Sequence, residues 1–213
     1  MLRDLSKYNR DYYFAELDVK DVVENPINQF IDWIDFAVES NVDDFNAMIL
    51  STVDEHSKSS SRVVLLKGVT EEGFTFYSNY SSKKGQQITK NPNVSAVFFW
   101  PKLDRQIRIE GIVEKLSSNI SDEYFSSRAI DSQIGAIISP QSQVIPNREV
   151  LNEKMEELKD SIHNRKLIRP IFWGGYIIKP NLFEFWQGRA DRLSDRIQYK
   201  LSDAKWIIER LAP

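Results

Sequence analysis

Apolar positions recur along the chain with two different periods, and the switches between them predict the order of elements. Residues 1–25 show no regular period. MLRDLSKYNRDYYFAELDVKD is polar and charged, punctuated by Tyr8, Tyr12, Tyr13 and Phe14, and reads as a mobile N-terminal arm. Asn25-Pro26 then opens a helix, Asn as N-cap and Pro at the first position. Ile27, Phe30, Ile31, Ile34 and Ala37/Val38 follow at helical spacing and predict one buried stripe. From Asn46 the period becomes strand-like: NAMILSTV and RVVLLKGV flank a polar turn over 54–60, which predicts a hairpin. A Glu71-Glu72-Gly73 turn leads into FTFYSN.

SSKKGQQITKN predicts a short polar helix stopped by Asn91-Pro92, with VSAVFFW and RQIRIEGIVEKL as the next strands. In the second of these, Ile107 and Ile109 face one way while Gln106, Arg108 and Glu110 face the other, so a charged sheet face needs partners. Residues 119–164 read as helical, with Leu151, Met155 and Leu158 on one stripe. FWGGYIIKP, LFEFWQG, RIQYKL and KWIIERLAP return to β. No repeat, linker or low-complexity block divides residues 26–213, which therefore read as a single domain. About eight short strands with inserted helices predict an α+β fold, one antiparallel sheet closing on itself as a barrel.

Composition narrows the chemistry mainly by exclusion. The 213 residues are 41% hydrophobic and 28% charged, ordinary globular usage that excludes disorder. Lys and Arg total 28 against 31 Asp and Glu, and the net charge of −3 argues against nucleic acid as a partner while leaving room for a local basic pocket. The absence of cysteine removes disulfides, thiolate metal sites and Cys nucleophiles, and fits a reducing cytoplasm. No apolar window is long enough to span a membrane. The two histidines are far apart, which disfavours a metal site; His56 in a polar turn and His163 at a charged helix end read as exposed polar residues. Neither GxGxxG, GxxxxGK[ST] nor GxSxG occurs, so the dinucleotide, P-loop and serine-hydrolase patterns are missing.

What remains is a set of basic and aromatic groups beside strands. Arg62 and Lys67 bracket the apolar run VVLL, and Lys83 and Lys84 open the short helix, where ammonium groups and helix N–H groups together suit an anion. Taken alone, a solvated lysine pair is the commoner meaning of that pattern. Tyr124, Arg128 and Ser132 form a second basic-plus-hydroxyl cluster. FEFWQGRADRLSDRIQY brings Trp186, Arg189, Arg192 and Arg196 close in sequence, which suits a flat anionic ligand about as well as a core Trp beside a surface Arg network. The three clusters together favour two phosphorylated planar ligands, such as a cofactor and a substrate.

In this order, RVVLLK (62–67), FYSNYSSKKGQQI (76–88), NPNVSAVFFW (91–100), RQIRIEG (105–111), YFSSRAIDSQIGA (124–136), QSQVI (141–145), FWGGY (172–176), FEFWQGRADRLSDR (183–196) and the ending ERLAP resemble the pyridoxamine 5′-phosphate oxidase family, from about Pro26 to Pro213. The resemblance implies an FMN-binding split β-barrel that forms a homodimer with FMN at the interface. It places FMN contacts at Arg62, Val63, Val64, Leu65, Leu66, Lys67, Tyr77, Ser78, Lys83, Lys84, Gln106, Gln141, Ser142, Trp186 and Arg196, with Arg62 and Lys84 on the FMN phosphate. It places the substrate phosphate on Lys67, Tyr124, Arg128 and Ser132. Arg192, Leu193 and Ser194 would cover the substrate ring, with Arg192 and Ser194 in catalytic positions and Tyr12 as a lid tyrosine.

The implied reaction is oxidation of pyridoxamine or pyridoxine 5′-phosphate at C4′ to pyridoxal 5′-phosphate, with hydride passing to the flavin and O₂ reduced to H₂O₂. Three positions depart from the family pattern: Lys83 where Arg is frequent, Ser194 where His is usual, and Asn9, with Arg10 next to it, where a basic residue is expected. Two rivals share the pattern, a phenazine-pathway type of oxidase on the same barrel and a non-catalytic flavin or pyridoxal-phosphate binding module.

Overall fold

The computed structural model describes residues 3–7, 10–162 and 166–213; Tyr8, Asn9 and His163, singled out above, lie outside the described residues. Helix α1 spans Pro26–Glu39 and starts as expected, the Asn25 side chain accepting the Ile27 N–H at 2.9 Å. Its buried face differs from the expected stripe. Ile27, Phe30, Trp33 and Ala37 are buried, whereas Ile31 and Val38 are exposed. The reason is aromatic: Trp33 meets Phe185 edge-on at 5.1 Å and Phe30 meets Phe98 at 5.1 Å, so the helix turns these two rings inward and leaves Ile31 and Val38 out.

The strands are β1 (Ala47–Val53), β2 (Ser59–Leu65), β3 (Gly68–Thr70), β4 (Gly73–Asn79), β5 (Asn93–Trp100), β6 (Arg105–Lys115), β7 (Trp173–Gln187), β8 (Asp195–Ser202) and β9 (Lys205–Leu211). They hydrogen-bond in the order β2-β1-β5-β6-β7-β4-β3, with β8 on β7 and β9 on β8. The 9 strands exceed the expected number because the short β3 forms its own antiparallel ladder with β4. The two C-terminal runs FWGGYIIKP and LFEFWQG are one strand, β7. Pro180 does not break it. Residues 173–178 pair with β4 and residues 182–187 with β8, so the proline lies between those ladders and removes a donor from neither.

The segment expected to be helical over 119–164 is three helices: α3 (Ser118–Ser127), α4 (Ile130–Ile138) and α5 (Glu149–Ile162). Arg128 leaves the helical region at the end of α3, and Pro140 and Pro146 lie in the loop before α5. Leu151, Met155 and Leu158 are half-buried, and α5 has no buried residue. The remaining helix, α2 (Lys83–Lys90), keeps its expected bounds, with Ser82 as N-cap and Asn91 as C-cap. None of the described helices is long and apolar enough to cross a membrane.

The chain packs as two compact units: a terminal unit of Met1–Ile49, Ser95–Gly111 and Pro180–Pro213, and a central unit of Leu50–Val94 and Ile112–Lys179. The terminal unit buries Phe30, Trp33, Phe98, Ile107, Ile109, Phe183, Phe185 and Ile197. The charged face of β6 is satisfied within it. Buried Glu184 accepts from Arg196 Nε and Nη2, both at 2.9 Å, and from Arg108 Nη1 at 2.9 Å, while Arg108 Nη2 reaches Glu110 at 2.9 Å. Segment 10–25, expected to be mobile, is bound at several points along the same unit. Arg10 pairs with the Asp104 carboxylate and the Leu17 N–H donates to Asp195 at 3.1 Å. Farther on, the Tyr199 hydroxyl donates to the Val23 carbonyl at 2.7 Å. After β7 the turn Ala190–Arg192 holds Asp191 and Arg192 at φ 57° and 62°, two successive left-handed residues without glycine.

The central unit buries Phe74, Phe76, Ile88, Phe125, Ile134, Tyr176 and Ile178. Its α2 begins against the chain just before it: a Cβ on Gly85 would lie 2.2 Å from the Tyr80 carbonyl oxygen, so only glycine permits that approach.

Candidate active site

A cavity of about 660 Å³ opens in the central unit between β2, β4, the start of α2, the end of α3 and residues 141–142. Strand β2 supplies Arg62, whose Nη1 donates to the Leu50 carbonyl at 3.1 Å and the Thr52 hydroxyl at 2.7 Å. Thr52 in turn donates to Gln87 at 2.6 Å, which fixes the orientation of the guanidinium. Lys84, in the first turn of α2, is 7% exposed. Its Nζ donates to Ser78 at 2.8 Å, to Ser82 at 3.2 Å and to Gln141 Oε1 at 3.2 Å.

No carboxylate among the described residues pairs with Arg62 or Lys84. Burial and the neighbouring Arg62 charge together lower the Lys84 ammonium to about 8, and burial lowers Arg62 as well. Two desolvated cations beside a helix start suit an anion, because a bound anion would relieve both the repulsion and the lost hydration. Exposed Lys83 lies at the rim.

Along the wall, Tyr77 stacks on Tyr124 with centroids 3.6 Å apart, and both run parallel to Trp173 at 5.7 and 6.3 Å. Arg128 lies 4.7 Å over the Trp173 ring. Its Nη1 is buried without a hydrogen-bond partner among the described residues, and burial lowers its pKa. Arg128, Gln141 and Trp173 also line a smaller chamber of about 280 Å³, to which Asn79, Ser132, Gly135, Ala136 and Ser139 contribute.

The structure therefore brings together Arg62, Val63, Val64, Leu65, Lys67, Tyr77, Ser78, Lys83, Lys84, Tyr124, Arg128, Gln141 and Ser142 around one cavity, with Ser132 in the chamber that shares Arg128. Leu66 is buried and lines neither space. Gln106, Trp186, Arg192, Leu193, Ser194 and Arg196 belong to the terminal unit and line neither space. There Arg196 is held by Glu184, Ser194 is 7% exposed, and Leu193 is 68% exposed. Tyr12 meets Trp186 edge-on at 5.4 Å, and a Cβ on Gly188 would fall 2.6 Å from its ring.

Among the residues that escaped the sequence reading, Ser60, Ser61 and Trp173 line the cavity, and Thr52, which is not part of the lining, orients Arg62. Thr52 looked like any strand threonine. Trp173 stood in the FWGGY motif but carried no cue beyond an indole before two small residues.

This donor set fits a flavin mononucleotide: paired cations for a phosphate monoester, a polar wall in Ser78 and Gln141, and the apolar edge of β2 for a ring system. Residues 34–161 match the family model described as pyridoxamine 5′-phosphate oxidase, and residues 173–213 match the pyridoxine 5′-phosphate oxidase C-terminal dimerisation region. The chain is 49% identical, over 99% of its length and 100% of the relative's, to the pyridoxine/pyridoxamine 5′-phosphate oxidase of Neisseria meningitidis serogroup B. Identity to the Flavobacterium psychrophilum protein of the same name is 47% over the whole of both chains.

Among solved structures, PhzG from Burkholderia lata 383, in complex with tetrahydrophenazine-1-carboxylic acid, is similar at a TM-score of 0.87 and 27% identity over 93% of this chain and 100% of that one. An FMN-binding, pyridoxamine 5′-phosphate oxidase-related protein from Nostoc punctiforme shares the fold at a TM-score of 0.71 and 16% identity, over 90% of this chain and 100% of that one. The α+β split barrel implied by the resemblance is the fold these neighbours share. With both family regions matched in order and full-length identity near one half, the chain belongs to the pyridoxamine 5′-phosphate oxidase family.

Proposed function

We propose that this protein is an FMN-dependent oxidase that converts pyridoxamine and pyridoxine 5′-phosphate to pyridoxal 5′-phosphate in the cytoplasm, with O₂ reduced to H₂O₂. The observation that carries this reading is the set of desolvated cations, Arg62, Lys84 and Arg128, lining one cavity with no carboxylate partner among the described residues. Two of them, with the start of α2, would hold the FMN phosphate. The third, with Tyr124, Ser132 and Lys67, would hold the phosphate of the substrate. FMN, when bound, supplies the two-electron acceptor that the protein's own side chains lack.

The chain's residues bind and orient. Phosphate capture at Arg128 fixes the substrate beside Tyr77 and Tyr124, and positioning of this kind accounts for much of the rate. Arg192 would orient the pyridine ring and stabilise charge on it. Ser194 offers a hydroxyl that donates or accepts a hydrogen bond and holds no ionisable proton near neutrality. Gln106, Trp186, Arg192, Ser194 and Arg196 line neither space, which supports a homodimer in which a second copy brings this set to FMN at the interface. The expected protein is yellow, dimeric and carries one FMN per subunit.

Anaerobic mixing with pyridoxamine 5′-phosphate tests the reading: the visible band of oxidised flavin should bleach and return on admitting O₂. Failure to bleach would leave a non-catalytic binding module. Arg128→Ala should keep FMN and raise KM by roughly 10- to 100-fold, the effect of losing a charge-assisted bond. If the variant instead keeps its KM and loses FMN, the two phosphate sites are reversed. The rival reading as an oxidase of an unphosphorylated planar metabolite, suggested by the likeness to PhzG, requires turnover that is indifferent to Arg128.

A further inference from the structure

Arg128 is unusual in how it is held. An arginine at the edge of a cavity is ordinarily fixed by a carboxylate, which orients the guanidinium and neutralises it. None of the ion pairs among the described residues involves Arg128, and none of its side-chain nitrogens donates a hydrogen bond there. Its guanidinium carbon instead lies 4.7 Å over the Trp173 ring, and Nη1 is buried and unpartnered. A π face attracts and orients a cation without cancelling its charge, so the full electrostatic attraction stays available to an incoming anion.

The indole is itself fixed from several sides. Tyr77 and Tyr124 run parallel to it, and Phe125 meets it edge-on at 5.5 Å. Arg169 Nη1 donates to the Trp173 carbonyl at 2.5 Å, while Arg169 Nε donates to Asp122 on α3 at 2.6 Å. One arginine thus ties the start of β7 to the helix that ends at Arg128. Trp173 is 7% exposed and lines both the large cavity and the chamber containing Ser132.

We infer that Trp173 is a positioning residue, a neutral platform that aims the Arg128 guanidinium at the phosphate monoester of the substrate. The inference rests on the functional reading above. It predicts that the indole matters through its flat face and only when Arg128 is present.

The test uses the FMN-loaded protein in five forms: wild type, Trp173→Phe, Trp173→Leu, Arg128→Ala, and Trp173→Leu combined with Arg128→Ala. Pyridoxal 5′-phosphate binding and the KM for pyridoxamine 5′-phosphate are measured, with inorganic phosphate as a competing probe. Trp173→Leu should weaken pyridoxal 5′-phosphate binding and raise KM about tenfold, as expected for loss of a desolvated cation–π contact, with kcat changed less than about threefold. Trp173→Phe should restore most of the affinity, and in the Arg128→Ala background Trp173→Leu should have no further effect.

Equal losses in the Phe and Leu variants, a fall in kcat at unchanged KM, or an undiminished Leu effect without Arg128 would each overturn the inference. Should Trp173→Leu fail to fold, the Phe variant and its own cycle with Arg128→Ala decide, since a structural role leaves those two effects additive. A wild type that binds pyridoxal 5′-phosphate but shows no oxidase turnover would defeat the functional reading alone, and the binding cycle would still decide the role of Trp173.

Discussion

The two units use the same kind of side chain for opposite ends. In the terminal unit arginines are matched to acids: Arg196 and Arg108 to Glu184, Arg189 and Arg210 to Asp195, Arg10 to Asp104. Hydrogen-bonded carboxylates raise the pKa of Arg196 and Arg210 above the usual value. In the central unit Arg62, Lys84 and Arg128, which line the cavity, have hydroxyls, an amide, a carbonyl or an indole as neighbours, and burial lowers all three. Matched cations hold the fold together. Unmatched ones are, on the proposed function, those that would meet a ligand, and incomplete pairing of this kind is a physical pointer to function. Arg105 is the instructive exception. It sits in the terminal unit 4.2 Å over Trp33 with Gln187 as its partner, burial lowers it to about 10, and it serves packing.

The contrast is sharpest at Lys84. Lys84→Met should weaken FMN binding by about 100-fold, near 2.7 kcal/mol, while shifting apoprotein stability by less than about 1 kcal/mol, because the lost ammonium was desolvated and uncompensated. Fluorescence titration with FMN and denaturation of the apoprotein measure the two effects. A large loss of apoprotein stability would place Lys84 with the matched cations.

Arg196→Met should do the reverse in the FMN-free protein. Glu184 would stay buried with Arg108 alone, and stability should fall by about 2 kcal/mol. An unchanged denaturation midpoint would show that the carboxylate resolvates and that the pairing contributes little.

The pH dependence of cofactor affinity follows from the sign of the Lys84 shift. With a folded value of about 8, the ammonium is present at pH 7 and lost above pH 8, so FMN affinity should fall by up to about tenfold per pH unit there. A bound phosphate raises the lysine again, so binding above pH 8 takes up a proton, which calorimetry in two buffers detects. The apoprotein runs the other way. Its folded Lys84 value lies below the unfolded one, so this group's contribution to stability improves as pH rises from about 8 to 10.5.

The smallest effect belongs to the exposed pair Lys90–Glu55, whose side chains are 53% and 54% exposed. Lys90→Ala should change stability by less than about 0.5 kcal/mol, measured by the same denaturation.

Local chemistry was legible in the sequence where one residue type leaves little choice. Asn25-Pro26 announced α1, Ser82 and Asn91 bounded α2, and the alternation of Ile107 and Ile109 with Arg108 and Glu110 oriented β6. Features decided by partners distant in sequence were not. The buried face of α1 depends on Phe98 and Phe185, and the passage of β7 through Pro180 depends on where two ladders end. At the site the charges were legible and their pairing was not: Arg62, Lys84, Arg128 and Arg196 all read as basic residues, and only the position of Glu184 separates the last from the others. Trp173 went unrecognised because its role depends on an arginine 45 positions earlier, as their numbers show.

The left-handed pair Asp191–Arg192 has an evolutionary consequence. Side-chain-bearing residues in that region carry strain of about 1 kcal/mol or more, which glycine relieves at either position. At 191 the exchange sacrifices only a carboxylate, whereas at 192 it discards the guanidinium expected to cover the substrate ring. Lineages pressed only for heat resistance should accept glycine at both positions. Those pressed for heat resistance together with vitamin supply should accept it only at 191, and a mutant library passed through both regimes would display the divergence directly.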